Sequence, residues 1–276
     1  MCKRLFDLLN NMKKKLIIFD MDGTIYLGKN LFDGVLDTFK YLNDNNIEYV
    51  FFTNNSSHDL DFYFKKMTSF GLKCDLKHNF YSSTEVTISH LLDKGFKKIF
   101  VIGNKCLKDK LAKHFELVPS YDKDNKIDAV VAGFSTELVY QELKDACLYL
   151  ETQDIELIAT NGDYRCPIED GLYIPDCGGM CEWIYLCTGK RANVLGKPNP
   201  EIIDYLAKQF NVTKEEILVV GDRLYTDILV GIKANTDTLC VLSGESTLED
   251  IKNYEYKPTY ILDSIKDLPN LLKDIK

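Results

Sequence analysis

The feature that most constrains this chain is a rhythm. Short, wholly apolar runs stop abruptly at polar residues and are followed by stretches with helical spacing. KLIIFD (15–20) is the first such run, and Met21-Asp22-Gly23-Thr24 comes directly after it. A run too short for a helix, apolar throughout and closed by acids and glycine, reads as a strand covered on both faces. Residues 33–45 then carry apolar residues near helical spacing. IEYVFFTNN (47–55) is a second buried run, and SSHDLDFYFKKMTSFG (56–71) opens on serine caps and closes on glycine. Such a β-α-β-α beginning predicts a parallel sheet with functional residues at the carboxyl ends of its strands.

The series continues. Residues 84–94 read as helix, 97–104 as strand, 104–114 as helix, 128–134 as strand, 136–151 as helix and 156–163 as strand. Residues 164–179, with three glycines and two prolines, read as a loop, and 179–189 as a helix ending at Gly189. After GKPNP (196–200) come a helix at 200–210, a strand at 216–222, a helix at 224–234 and a strand at 237–244. A short helix near 247–252, a strand near 259–263 and a final helix complete the chain. Periodicity leaves two arrangements open for the middle block: a second α/β domain inserted into the first, or a continuation of one large sheet.

Composition narrows the function. The net charge of -8 argues against nucleic acid or an anionic membrane as partner. No apolar run approaches the ~20 residues of a membrane span. The nine cysteines are odd in number, and Cys177, Cys181 and Cys187 fit neither C-x-x-C nor a zinc ribbon. They read as reduced thiols of a cytoplasmic protein. Residues 1–11 read as a short extra helix or a product of start-codon choice. His58, His78, His90 and His114 lie outside every motif.

Four polar features fall where the sheet predicts function: DMDGT after the first strand, TNN after the second, GKP before a helix, and GDRLYTD after a late strand. In a parallel sheet they converge on one crevice, which gathers Asp20, Asp22, Asp222 and Asp227. Four carboxylates that close do not all stay ionised without a cation. Lys197 supplies one positive charge, and oxygen-only ligands point to Mg²⁺ for the remainder. Thr53, Asn54 and Lys197 then read as donors and a counter-charge for phosphate oxygens. Asp20 and Asp22, two apart on an extended segment, point the same way and suit two jobs: one attacks phosphorus while the other handles a proton. Gly23 permits a turn that a Cβ would hinder, and Thr24 is placed to hydrogen-bond within it.

FDMDGT, TNN, GKPNP and GDRLYTDI, in that order, resemble the four motifs of the haloacid dehalogenase superfamily of aspartate-nucleophile phosphatases. The forms TNNSS, GKP and GDRLYTDI are similar to those of its subfamily IIA, which includes NagD-type nucleotide phosphatases, 4-nitrophenyl phosphatases, phosphoglycolate phosphatases and the pyridoxal phosphate phosphatase. The resemblance runs from about Lys14 to the end. It implies a Rossmann-like, doubly wound parallel-sheet core (1–82 and 190–276) with an inserted α/β cap (83–189) that closes over the site and excludes water. It implies Asp20 as nucleophile, forming an aspartyl-phosphate, and Asp22 as the acid and then the base. Mg²⁺ would be held by Asp20, the backbone carbonyl of Asp22, and Asp222, supported by Asp227. Thr53, Asn54 and Lys197 would hold the phosphoryl group, with Asn55 close by.

In this subfamily the cap loop after a TN-x-D segment, here Thr160-Asn161-Gly162-Asp163, reads the leaving group. Where the pyridoxal phosphate enzyme carries a histidine, this chain has Cys166 beside Arg165, which weakens any transfer of that specificity. Arg165 is the candidate for a second anionic group on the substrate. The resemblance thus implies hydrolysis of a small-molecule phosphate ester such as a nucleoside monophosphate, sugar phosphate, phosphoglycolate or 4-nitrophenyl phosphate, and pairing through the cap into a homodimer. The alternatives are a phosphotransferase of the same fold and a catalytically retired binding or regulatory protein. Dehalogenation is disfavoured because Asp22 is an acid suited to a departing oxygen, which a halide does not need.

Overall fold

The computed structural model describes residues 13–54, 59–167 and 172–275. The features expected at residues 1–11, the serine caps Ser56 and Ser57, and Asn55 lie outside the described residues. The chain divides into two compact units.

The first unit runs up to Thr53, takes in Leu60–Tyr81 and resumes at Pro198. Its sheet has six strands in the order Tyr260–Leu262, Asp237–Val241, Ile217–Gly221, Leu16–Phe19, Glu48–Thr53, Phe80–Ser82. The pairings along the first five are parallel. LIIF is buried on every residue, as a central strand covered on both faces must be. Phe19 stands beside Val220 on one side and Phe51 on the other. Strand order reverses at Leu16–Phe19, since the next long strand lies to one side of it and the late strands to the other. That reversal opens a crevice outside the carboxyl ends of Leu16–Phe19 and Ile217–Gly221.

Alternation sorts the sheet's side chains between its faces. Ile17, Phe19, Tyr49, Phe51, Leu218 and Val220 join one core, to which the helix Val35–Asp44 brings Val35, Phe39 and Leu42. The Phe39 ring lies 5.1 Å from that of Phe19 and 4.8 Å from that of Tyr49. Each such buried side chain contributes about 1.5–3 kcal/mol. Cys240 packs on the other face with Leu224, Ile228 and Ile251.

The second unit comprises Asn54–Asp59 and Ser82–Lys197. Its parallel sheet runs in the order Asn193–Val194, Glu156–Ala159, Ala129–Ala132, Lys98–Ile102, Glu116–Val118. The helices Tyr140–Thr152 and Cys177–Thr188 supply Tyr149, Leu150, Cys177, Met180, Cys181 and Ile184 to its core. The fold is therefore α/β, with a doubly wound parallel sheet and an α/β insertion. The insertion was expected to end at residue 189. Its contacts reach Lys197, because Asn193–Val194 pairs with Glu156–Ala159 and keeps the chain on that sheet.

Within the span 164–179, expected as a loop, the described residues include two short strands. Arg165–Pro167 and Tyr173–Pro175 form an antiparallel ladder, and the helix starts at Cys177 with Asp176 as its cap. The prolines and glycines concealed strands of three residues, too short to show a period. The eight described cysteines are free thiols. No helix among the described residues is long and apolar enough to cross a membrane.

Candidate active site

Three carboxylates meet at the crevice of the first unit. Asp20 follows the strand Leu16–Phe19, and its N–H donates to Val220 O at 2.9 Å. Asp222 follows Ile217–Gly221, so the two acids leave neighbouring strands at the same end. Asp227 arrives on the next turn. Each of the three offers an oxygen within 4.8 Å of the others, and Asp222 and Asp227 are buried. The helix expected over 224–234 opens instead as a π-helical turn, Leu224–Ile228, before an α-helix over Leu229–Ala234. Such wide turns gather at functional sites. Here the turn lets Arg223 N–H donate to Asp227 Oδ2 at 3.1 Å. Asp227 lies over Gly221, where a Cβ would stand 2.2 Å from the Asp227 Cβ.

Burial, then the charges of Asp20 and Asp227, pushes the Asp222 carboxyl up to about 8. Asp222 Oδ2 accepts the Glu245 N–H at 2.8 Å, while Oδ1 is buried with no hydrogen-bond partner among the described residues. A buried acceptor left open beside two more carboxylates is costly in a protein alone and suits a hard cation with oxygen ligands. The three acids therefore form a cluster that can hold a metal ion.

The Asp22 carboxylate is exposed and not part of this trio. Its turn is held by a bridge from Asp22 to Tyr26 and by Gly23 N–H donating to Tyr26 O at 2.7 Å. Gly23 takes φ +85, and a Cβ there would stand 2.4 Å from Asp222 Oδ2, so both conformation and contact require glycine. Thr24 hydrogen-bonds within the turn through its backbone, its N–H donating to Met21 O at 3.3 Å. Its hydroxyl is buried without a hydrogen-bond partner among the described residues, because the backbone carries the turn. Lys66 was not foreseen. It lies 3.5 Å over the Tyr26 ring, where burial lowers its pKa and the Asp22 charge opposes the shift. Thr53 is buried at the carboxyl end of Glu48–Thr53, whose register aligns Phe51 with Phe19.

The second unit carries a different kind of cluster. The Asn54 side chain donates to Lys197 O at 3.0 Å and to Asp163 Oδ2 at 3.1 Å, and its Oδ1 accepts the Lys197 N–H at 2.7 Å. The Asn54 carbonyl accepts from Ser83 Oγ and from Asn161 Nδ2. Both side-chain amide protons of Asn54 are thus committed to protein acceptors. The Asn54 side chain is a tie that holds Lys197 and Asp163. Gly196 makes room for it, since a Cβ there would meet Thr160 O at 2.4 Å and Asn54 Oδ1 at 2.7 Å. Lys197 is itself buried.

Asp163, Arg165 and Cys166 are divided. Asp163 takes a turn in which its N–H donates to Asn161 Oδ1 at 3.0 Å, and its carboxylate is engaged by Asn54. Arg165 is exposed and Cys166 half-buried on the ladder strand, paired with Pro175 and Ile174. Near them, burial first, and Asp163 further, pushes the Asp176 carboxyl up to about 6 against the bond from the Cys177 N–H.

Known proteins match most of the chain. Residues 17–114 match the haloacid dehalogenase-like hydrolase family model, and residues 194–268 a HAD-hydrolase-like one. The chain is 30% identical to an acid sugar phosphatase of Staphylococcus haemolyticus, covering 97% of this chain and 98% of the relative. It is 29% identical to chronophin of Mus musculus, covering 94% and 93%. Among solved structures, 4-nitrophenylphosphatase from Thermotoga maritima superposes with a TM-score of 0.86 at 36% identity, covering 95% of this chain and 98% of that one. NagD from Escherichia coli K-12 superposes at 0.84 and 29%, covering 93% and 98%. The chain belongs to the haloacid dehalogenase-like hydrolases. Within them it is NagD-like, and it is a phosphoric monoester hydrolase.

Proposed function

We propose that the chain hydrolyses small organic phosphate monoesters with Mg²⁺, through an aspartyl-phosphate on Asp20. The observation that carries this is the acidic trio, with the buried Asp222 Oδ1, without a hydrogen-bond partner among the described residues, at its centre. Asp20, Asp222 and Asp227, with the Asp22 backbone carbonyl, would hold the ion. When bound, it would neutralise the carboxylates and the phosphoryl oxygens.

Asp20 attacks phosphorus while the bond to the ester oxygen breaks, and the protonated Asp22 carboxyl gives its proton to that departing oxygen. The exposure of Asp22 suits this exchange, since it must meet both leaving group and water. Asp22, now ionised, takes a proton from water as the water attacks phosphorus. Inorganic phosphate leaves and Asp20 is restored. Thr53 and Lys197 hold phosphoryl oxygens, and Asn54 positions Lys197. Such catalysis is mostly orientation and charge stabilisation of a loose transition state.

The first unit is the catalytic domain in this reading. The second selects the leaving group, with Asp163, Arg165 and Cys166 on its selecting segment. Sugar phosphates and 4-nitrophenyl phosphate head the substrate candidates, because relatives bear those names. Cytoplasmic location and pairing through the insertion belong to the same reading, and the net charge of -8 favours neither nucleic acid nor membrane as a partner. A phosphate-ester panel assayed with Mg²⁺ and then EDTA tests the proposal. Release of phosphate unaffected by EDTA would overturn the metal's part, and no release from any ester would overturn the whole.

A further inference from the structure

The loop Leu242–Ser246, just after the strand Asp237–Val241, is absent from the four motifs, yet it wraps the buried acid at the centre of the trio. Ser243 Oγ donates to Gly23 O at 2.8 Å. Gly244 packs so closely that a Cβ would stand 2.0 Å from Asp222 Oδ2. Glu245 N–H donates to that same oxygen at 2.8 Å, and Ser246 N–H to the Asp222 carbonyl at 3.2 Å. The loop thus occupies one carboxylate oxygen of Asp222 and leaves the other, Oδ1, for the crevice.

The loop has no regular ladder at residues 243–246 to keep it there. The Glu245 side chain supplies the hold. Its carboxylate accepts the Tyr225 hydroxyl at 3.0 and 3.3 Å on its two oxygens. It also ion-pairs with Arg223 Nε at 3.1 Å, an approach without the alignment of a hydrogen bond. Glu245 therefore grips Asp222 by its backbone, and Arg223 and Tyr225 by its side chain. The partners lie on the turn that carries Asp227 as well. The Glu245 carboxylate, outside the trio, is thus the ion-pair partner of the Arg223 guanidinium.

We infer that Glu245 is a positioning residue for the metal site, setting the pose of Asp222 and the direction of Arg223 without touching ion or substrate. The inference rests on the reading of Asp20, Asp222 and Asp227 as metal ligands. Partners that orient a ligand commonly alter metal affinity 10- to 100-fold when removed. A half-exposed ion pair, by contrast, adds little to folding stability. The two roles separate cleanly: a structural residue would move the melting temperature, a positioning residue the metal affinity.

The test is titration of Mg²⁺ into the metal-free full chain by calorimetry, with thermal melts alongside. Glu245→Ala is expected to weaken Mg²⁺ binding about tenfold, and Tyr225→Phe by less than that. Glu245→Gln, which retains an acceptor for Tyr225, is expected to fall between wild type and alanine, and it serves if the alanine variant melts early. At saturating Mg²⁺ the kcat of each is expected within about threefold of wild type, so the loss lies in the metal requirement and not in the chemistry. Unchanged Mg²⁺ affinity in folded Glu245→Ala and Glu245→Gln would overturn the inference. Asp222→Ala is the control for the underlying reading. If it binds Mg²⁺ as wild type does, the metal site itself is wrong. If it loses the ion while both Glu245 variants keep it, only the role of Glu245 is wrong.

Discussion

The acidic trio of the first unit and the Asn54 tie of the second are both buried polar clusters, and they are opposites in satisfaction. Asn54 has every side-chain hydrogen-bonding hydrogen and its oxygen matched within the protein. Asp222 has one oxygen matched and one left open among the described residues, with two like charges beside it. A fully matched cluster is scaffold, because every group is cheaper left where it is. A cluster short of a partner is a site, because something from solution must complete it. The distinction turns on hydrogen bonds and charge, not on depth: Asn54 and Asp222 are both buried.

The comparison is sharpened most strongly by Asp20→Asn. It removes the nucleophile while keeping shape, and kcat for 4-nitrophenyl phosphate is expected to fall at least about 10³-fold with the melting temperature retained. Lys197→Ala comes next, with kcat/KM expected to fall about 10²–10³-fold as the phosphoryl counter-charge is lost. An effect within tenfold would return Lys197 to the scaffold side. Asn54→Ala is expected to cost about 1–3 kcal/mol of stability in denaturant unfolding, because it strands the partners it now satisfies. Stability equal to wild type would break the reading of Asn54 as a tie.

The remaining effect has a sign opposite to that of Asn54→Ala. The Asp222 carboxyl is pushed from 3.8 to about 8, so the folded metal-free protein holds a proton that the unfolded chain releases. That contribution to stability is complete below about pH 4 and is lost as pH rises through about 8. Asp222→Asn, which carries no such charge, is therefore expected to melt higher than wild type near pH 8 in EDTA and to close the gap toward pH 4. Saturating Mg²⁺ is expected to raise the wild-type melt and not that of Asp222→Asn. Parallel pH profiles for the two proteins in EDTA would show that the trio is not short of a cation.

Much of the fold and the site was legible in the sequence, for identifiable reasons. LIIF declared a central strand because four consecutive apolar residues ending at an acid have few other uses. Asp20, Asp222 and Asp227 were legible as a group because parallel strands bring their carboxyl ends together, whatever separates them in the chain. The strands Glu116–Val118, Arg165–Pro167 and Asn193–Val194 were not legible, since two or three residues carry no period. The π-helical turn under Asp227 was hidden because its apolar spacing mimics the first turn of an α-helix.

The sequence by itself determined the alternation of strand and helix, the acids and lysine available for chemistry, and the order in which they arrive. These are set by hydrophobic period and residue type, which are local properties. Only the tertiary structure decided who satisfies whom. It made the Asn54 side chain a tie, buried the Thr24 hydroxyl without a hydrogen-bond partner among the described residues, kept the insertion's sheet going to Asn193–Val194 and brought Glu245 against Asp222 from 23 residues away. Hydrogen bonds and charge pairs are short in range and indifferent to sequence distance, so they exist only once the chain has folded.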